Sequence, residues 1–447
     1  MTTPGIMLYY AGSVRIENVL ATAMQGFSLA CLITMLWTVI GYSLAFTPVH
    51  EDEDCSHHSV LCSFMGDGSR TWLVNMLDGG SHQVADVPES AFCFYQLTFA
   101  IITPVLISGA MVDRMKFTSL LASMGLWHVL IYCPIAHVFW HPQGLMWRVG
   151  VLDFAGGNVV HLSAGSSALV GALVIGKRVG FGKRSFHPHN MLVSITGACF
   201  LWIGWFGFNA GSAYAADSSA GIAFLNTQIA SSSAALAWMC VECLRRGQPS
   251  IVGLMNGSIA GLVAITPASG YVDPSGAFFV GIAGGLACFY GVKIKVKFKF
   301  DDALDCFGIH AVGGIVGNIL VGCLAQESIG GVDGAFYGNP GQLAKQVYGI
   351  LFTVAFSAAG TAVILFVVDH SIGLRLSTQL EQSGMDRAVH NTNMYSQLAI
   401  SSSTKLSESG GGTGSMPALT PRGSTGYTPR ANGSQGTVLE GFPSDSL

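Results

Sequence analysis

Charge is what this sequence has little of. Of its 447 residues, only 10% are Asp, Glu, Lys or Arg, where soluble domains carry roughly 25%. Half of the chain is hydrophobic and the mean hydropathy is +0.51. That balance excludes a soluble enzyme or a nucleic-acid-binding domain and leaves a polytopic membrane protein in a lipid bilayer. Metal-binding cysteine patterns are also missing. The eleven Cys include a single CxxC, Cys240–Cys243, with no second pair at zinc spacing, and most sit singly in apolar stretches, where they read as small buried hydrophobes. No signal-peptide pattern opens the chain. Glycine, by contrast, is abundant at 57 residues, as expected where membrane helices pack closely through small faces.

Apolar runs divide the chain. Residues 1–12 are apolar but too short to cross a ~30 Å hydrocarbon core at about 1.5 Å per residue. Ten full spans are expected at about 19–46, 92–112, 117–140, 159–175, 191–210, 222–244, 251–270, 277–292, 303–325 and 347–368. One alternate set of connections holds Arg15, Arg114, Lys116, Lys177, Arg178, Lys183, Arg184, Arg245, Arg246, Lys293, Lys295, Lys297 and Lys299. The other holds Arg70, Arg148 and Lys345, with the acidic run Glu51–Asp54. The positive-inside rule places the first set in the cytoplasm. The C-terminus is then cytoplasmic and the polar loop shared by Cys55 and Cys62 is outside, which makes these two cysteines a candidate local disulfide. From about Ser401 the chain is rich in Ser, Gly and Thr and reads as a disordered tail. Its two Thr-Pro-Arg copies, at Thr420 and Thr428, are candidate phosphosites, with an unmodified tail as the equal alternative.

One pattern occurs twice. Asp153, His161 and Gly165 have the same offsets as Asp302, His310 and Gly314. Each histidine lies four residues before a glycine and shares a helix face with it, and the glycine lets another backbone or a ligand approach that face. The two histidine spans are five helices apart, so they cross in opposite directions. This is the sequence sign of an inverted 5+5 repeat with its site near the midplane. An ionisable group inside a span is costly in lipid and is a functional candidate for that reason. A core histidine bonded to a carbonyl is the competing reading for either residue alone; the repeated pair favours function. A haem pair is disfavoured because neither helix repeats a second histidine. His128 and His137, nine residues apart, fall on opposite faces of a regular helix and read as packing or interfacial residues.

Five stretches then resemble a known family. DFAGGNVVHLSAGSSALVGA (from Asp153), IGWFGFNAGSA (from Ile203), NGSIAGLVAITPASGYV (from Asn256), DCFGIHAVGGIVG (from Asp305) and PGIMLYYAGSVRIENVL (from Pro4) are similar to motifs of the Amt/Mep/Rh ammonium transporters, in the Amt/Mep branch. The likeness covers about residues 4–395. It implies an all-α, eleven-span fold with the inverted repeat, a homotrimer with one pore per subunit, and no catalytic residues, cofactor or metal. Trp140, Ser212 and Phe99 would form the external recruitment site. Phe99, Tyr95 and Phe208 would form the aromatic gate, and His161 and His310 the twin histidines of the pore. Asp153 would support the recruitment site from beneath, and Asp302, Trp205 and Asn209 are assigned structural support.

Physical chemistry agrees. A Trp face attracts ammonium by cation–π interaction and a Ser hydroxyl accepts one of its hydrogen bonds. The bare cation is too costly to take into an apolar channel, but ammonium, unlike potassium, can give up a proton there. Two hydrogen-bonded histidines can exchange that proton as a coupled pair. Asp153, beside glycines at a helix start, fits a cap better than a direct cation ligand.

The departures from the family are specific. Its first span begins well before Pro4, so the outer half of this span is expected to be missing. Residues 373–399 resemble a cytoplasmic regulatory tail, but the usual His-Gly is His390-Asn391, and Ala388 replaces a phosphorylatable Thr, leaving Thr392 as the weaker candidate. Loop 47–88 is an elaborated extracellular loop. The expected organisation is a transport domain over 1–372, the tail segment 373–399 and a disordered tail over 400–447. The expected function is transport of ammonium or ammonia, with methylammonium as analogue, at a eukaryotic plasma membrane. The rivals are an ammonium sensor, a neutral ammonia gas channel, which the Trp140–Ser212 pair disfavours, and a haem oxidoreductase.

Overall fold

A computed structural model describes residues 1–48, 60–76 and 87–392. Cys55, Thr420 and Thr428 lie outside the described residues. Helices dominate: α1 (Thr2–Ser13), α2 (Ile16–Phe46), α3 (Glu89–Ser108), α4 (Phe117–Val149, broken after Trp140), α5 (Gly157–Ile175) and α6 (Met191–Gly211). They are followed by α7 (Ser218–Arg246), α8 (Ile251–Ile265), α9 (Pro274–Phe298), α10 (Phe307–Leu324) and α11 (Pro340–Ile372). Two short helices, α12 (Thr378–Ser383) and α13 (Met385–His390), end the described chain.

Among the described residues, eight helices are long and apolar enough to cross a membrane: α2 to α6 and α9 to α11. The fold is therefore an all-α polytopic membrane protein. The expected spans at 222–244 and 251–270 differ from the rest for a physical reason. α7 is long but carries buried Asn226, Thr227, Ser231 and Ser233. Those groups bond to neighbouring backbone, as when the Asn226 amide donates to Ser269 O (2.9 Å) and Val272 O (2.7 Å). α8 has only 15 residues, and turns continue the chain beyond it.

Periodicity did not anticipate the four π-helical turns at Trp37–Gly41, His128–Tyr132, Gly157–Leu162 and Phe307–Ala311. Such turns are rare and are enriched at functional sites. Two of them hold His161 and His310. A third explains the behaviour of α4: its extra residue shifts the helical register, so His128 and His137 do not point apart. His128 sits 5.9 Å from the Trp37 ring and His137 Nδ1 lies 3.0 Å from Ala45 O, so both meet α2.

The repeated aspartates begin the repeated helices. The Asp153 carboxylate accepts from the backbone N–H of Gly156 (2.9 Å), Gly157, Asn158 (2.8 Å) and Val159 (3.2 Å). Asp302 accepts from Cys306 (3.1 Å) and Phe307 (2.8 Å). Each therefore satisfies amides that a helix start leaves without partners. The repeated glycines join the two helices. A Cβ on Gly165 would lie 2.2 Å from Ala311 N, inside the His310 turn. One on Gly314 would lie 3.1 Å from Gly157 O and 3.2 Å from Leu162 N, inside the His161 turn. Each glycine thus receives the other helix's π turn at backbone distance.

A buried ionic cluster closes the end of the bundle that carries the basic loops. Arg178 bonds Asp301 through both terminal oxygens (2.9 Å each) and Asp113 at 3.0 Å. Arg114 donates to Gly176 O (2.9 Å) and to Asp301 O. The segment after α11 lies across this end. Lys116 N donates to Leu374 O (2.9 Å) and Leu376 N to Arg114 O (3.0 Å). Glu381 accepts from Val179 N (2.6 Å), and Asp386 accepts from Leu20 N and Ala21 N (3.1 and 2.7 Å) at the start of α2.

Burial opposes ionisation of Asp301, but the Arg178 hydrogen bonds and charge outweigh it and hold the carboxyl below its ordinary range. Because the folded pKa is below the unfolded one, this stabilisation is present above the ordinary carboxylate range and is lost as pH falls through the folded value. Asp301→Asn is expected to leave Arg178 with a weakened partner set and to cost about 3 kcal/mol. Thermal melting in detergent checks this: the gap between variant and wild type should narrow as pH falls below the ordinary carboxylate range.

Candidate functional site

The site starts from the twin histidines. Their π turns meet at Gly165 and Gly314, which places the imidazoles of His161 and His310 face to face, with centroids 5.4 Å apart and planes 16° apart. Both residues are buried. Neither nitrogen of His161, nor Nδ1 of His310, has a protein hydrogen-bond partner. Buried polar atoms are ordinarily satisfied, so three bare ring nitrogens mark a place where something other than the protein makes the bond. A core histidine fixed to a carbonyl, the competing reading, is excluded for His161.

Trp205 of α6 stacks on the other face of His161, at 5.1 Å and 13°. Its Nε1–H donates to Thr266 Oγ1 (2.9 Å), which fixes the indole plane. One turn on, Asn209 donates to Thr227 Oγ1 (2.9 Å) and ties α6 to α7. A narrow cavity runs beside the histidines, walled by Ile6, Ile102, Leu106, Leu201, Phe208, Ile259 and Ile309, with Tyr9 and Tyr10. It is apolar except for those hydroxyls, Thr2, the indole and the imidazoles. The Tyr9 hydroxyl donates to Asn256 Oδ1 (2.5 Å), and Tyr10 donates to Leu106 O (3.2 Å).

Aromatic side chains cap the cavity. Phe208 lies 6.0 Å from Trp205 and 4.1 Å from Phe99, and Phe99 meets Trp140 edge-on at 5.3 Å. Tyr95 packs against Phe99 at 5.0 Å. Its hydroxyl donates to Phe208 O (2.5 Å) and lies 3.0 Å from Ser212 Oγ. Trp140 Nε1–H donates to Asp153 O (3.0 Å), so the carboxylate of Asp153 holds the start of α5 while its carbonyl orients the indole. Trp140, Phe99, Phe208, Trp205, His161 and His310 thus form one continuous file of rings.

Every candidate pore residue falls on this file or bonds to it, except Asn209, whose side chain bonds Thr227, and Asp302. The latter caps the His310 turn from the basic end, and its carbonyl accepts from Lys295 Nζ (2.9 Å). Cys62 is disulfide-bonded. Sequence reasoning missed Thr266 and Thr227, which anchor α6; a hydroxyl facing a buried Trp or Asn carries no linear signal. It also missed the Asn158–Asn318 bond (2.7 Å), although Asn158 lies within the first repeated motif and Asn318 just past the second. Among the described residues, no group of three or more His, Cys, Asp or Glu is placed to hold a metal.

Residues 1–395 match the Ammonium Transporter Family. The chain belongs to the ammonium transporter family. An ammonium transporter from Aquifex aeolicus is 43% identical over 88% of this chain and 90% of its own, and one from Bacillus subtilis is 40% identical over 88% and 95%. Among solved structures, Candida albicans Mep2 superposes with a TM-score of 0.78 at 32% identity, covering 88% of this chain and 89% of that one. Saccharomyces cerevisiae Mep2 gives 0.76 at 33%, over 85% and 84%. A protein titled Sensor Amt Protein gives 0.79 at 24% identity and shares the fold alone. Membership of the ammonium transporter family sets this chain among transporters, not enzymes.

Asp153→Ala strips four backbone amides of their acceptor and loosens the Trp140 anchor. A loss of about 2 kcal/mol is expected, read as an earlier detergent melt with the far-UV helical signal unchanged before the transition.

Proposed function

We propose that this chain transports ammonium across the plasma membrane of a eukaryotic cell as a homotrimer with one pore per subunit. The observation that carries the reading is the stacked His161–His310 pair, with bare ring nitrogens, beneath an aromatic file in an apolar cavity. Trp140 and Ser212 recruit ammonium from outside, the indole by its face and the hydroxyl by a hydrogen bond. The Phe99–Phe208 contact at 4.1 Å, braced by Tyr95, is a closed gate that admits substrate when the rings part. Beyond it the cation meets apolar walls and the histidines. A charge is poorly supported there, so ammonium releases its proton on reaching the histidines; the substrate passes on as ammonia, and the imidazole pair, acting as one unit, relays the proton onward.

The architecture we propose is of eleven-span type, α1 to α11, with α1 a truncated first span and an inverted 5+5 repeat. The shared Asp–His–Gly offsets support it, as do the two capped π turns. The basic end is cytoplasmic, and so is the tail. Residues 1–372 are the transport domain, 373–399 a regulatory tail segment and 400–447 a further tail.

The test is labelled methylammonium uptake and current in the same voltage-clamped oocyte. Uptake with one charge per substrate establishes transport in which the proton crosses too; uptake without current gives a neutral channel. Absence of both, with protein at the surface, overturns the reading in favour of a sensor. His161→Ala and His310→Ala are each expected to abolish selectivity for ammonium over potassium, and wild-type selectivity in both would sink the pore assignment. Trp140→Leu is expected to raise the apparent KM roughly tenfold, for about 1.4 kcal/mol of lost cation–π attraction, with the maximal rate within twofold. An unchanged KM removes Trp140 from recruitment.

A further inference from the structure

Residues 60–76 stand apart from the transport path, yet they bind the outer ends of the helices that form it. Ser43 Oγ donates to Asp67 O (2.8 Å), and Gly66 N donates to Leu44 O (2.7 Å), both on α2. Arg70 makes a two-point ion pair with buried Glu89 at the start of α3, at 3.0 and 3.1 Å, and Tyr42 donates to the same carboxylate (3.1 Å). Phe64 meets Phe352 of α11 at 6.1 Å. The deepest contact is on α4. His137, fully buried, lies between two carbonyls from separate parts of the chain: Ala45 O is 3.0 Å from Nδ1 and Cys62 O is 2.9 Å from Nε2. Cys62 is buried and disulfide-bonded. His141 stacks on His137 at 4.3 Å and 12°.

Trp140 sits between those two stacked histidines in sequence, three residues after His137 on the last turn of the α4 helix before its break. Glu89 opens the helix that carries Tyr95 and Phe99. The segment therefore grips, at their outer ends, both helices that supply the gate's non-α6 aromatics. Carbonyls only accept hydrogen bonds, so the Nε2–H tautomer of His137 ties α4 to the disulfide-bonded segment, and the Nδ1–H tautomer ties it to α2 alone.

We infer that segment 60–76 is a clasp that sets the geometry of the outer aromatic site, with His137 as its positioning residue through an Nε2–H bond to Cys62 O. The inference rests on the recruitment role proposed for Trp140. It gives the elaborated outer loop a function: substrate affinity depends on a loop and a disulfide that never touch the substrate. It also makes His137 more than a packing residue.

The test compares the full chain with His137→Gln, His137→Asn and Cys62→Ala in oocytes, with surface protein quantified by biotinylation. A Gln amide nitrogen reproduces the reach of Nε2, whereas an Asn amide nitrogen reproduces only that of Nδ1. His137→Asn and Cys62→Ala are each expected to raise the apparent KM for methylammonium about fivefold, as one lost hydrogen bond would, with maximal rate per surface molecule within twofold. His137→Gln should stay within twofold of wild type in both. Combining His137→Asn with Cys62→Ala should add little, since both open one clasp. Unchanged KM in His137→Asn and Cys62→Ala, or a fall in maximal rate at constant KM, overturns the clasp while leaving the transport reading in place. A Gln variant as weak as the Asn one overturns the assigned bond. A wild type that carries no methylammonium overturns the transport reading, and the clasp with it.

Discussion

In hydrocarbon, a backbone amide without an acceptor costs several kcal/mol, and a widened helix start exposes more of them than a regular one. The chain meets that constraint twice with the same residue type. Asp153 and Asp302 hold the first amides of the two turns that carry His161 and His310. Everything in the site depends on those caps. They allow a π turn to stand at the entry of a membrane helix, and the π turn aims each imidazole at its twin. Glycines at matched positions then let the helices approach until the rings stack.

From this frame the aromatic file follows by packing. α6 supplies Trp205 and Phe208, α3 supplies Tyr95 and Phe99, and α4 supplies Trp140. Their polar ends are used to lock orientation: the Trp205 and Trp140 indoles and the Tyr95 hydroxyl each donate to a fixed acceptor. The rings are left to face one another and the cavity, and His161 Nδ1, His161 Nε2 and His310 Nδ1 are left without protein partners beside it. Locking these orientations serves a selective pore, because a hydroxyl free to turn would offer its hydrogen to water or its oxygen to a competing cation.

The two ends of the bundle are held by different physics. At the basic end, Arg178 with Asp301 and Asp113 forms a buried ionic cluster on which the segment 373–392 lies. At the opposite end, a disulfide-bonded segment is pinned by Arg70, Ser43 and His137. Both fastenings are built from polar groups sheltered from solvent, where their hydrogen bonds are strengthened by a low dielectric and where removing one partner is costly.

The sequence by itself determined the class, most of the spans and the paired Asp–His–Gly offsets, because hydropathy, helical periodicity and matched spacing are linear properties. It located Asp153 as a cap for the same reason: the carboxylate and the amides it satisfies are neighbours in the chain. It did not anticipate the polar seam of α7, because the Asn226 amide finds its acceptors, Ser269 O and Val272 O, on a segment more than forty positions away. It set His128 and His137 on opposite faces, because a π turn shifts the register without a compositional mark. Only the tertiary structure decided that the histidine rings stack, that Trp205 covers one of them, that Thr266 and Thr227 anchor α6, and that His137 bridges Ala45 and Cys62. Those facts rest on contacts between residues tens to hundreds of positions apart, and such contacts exist only once the helices have packed.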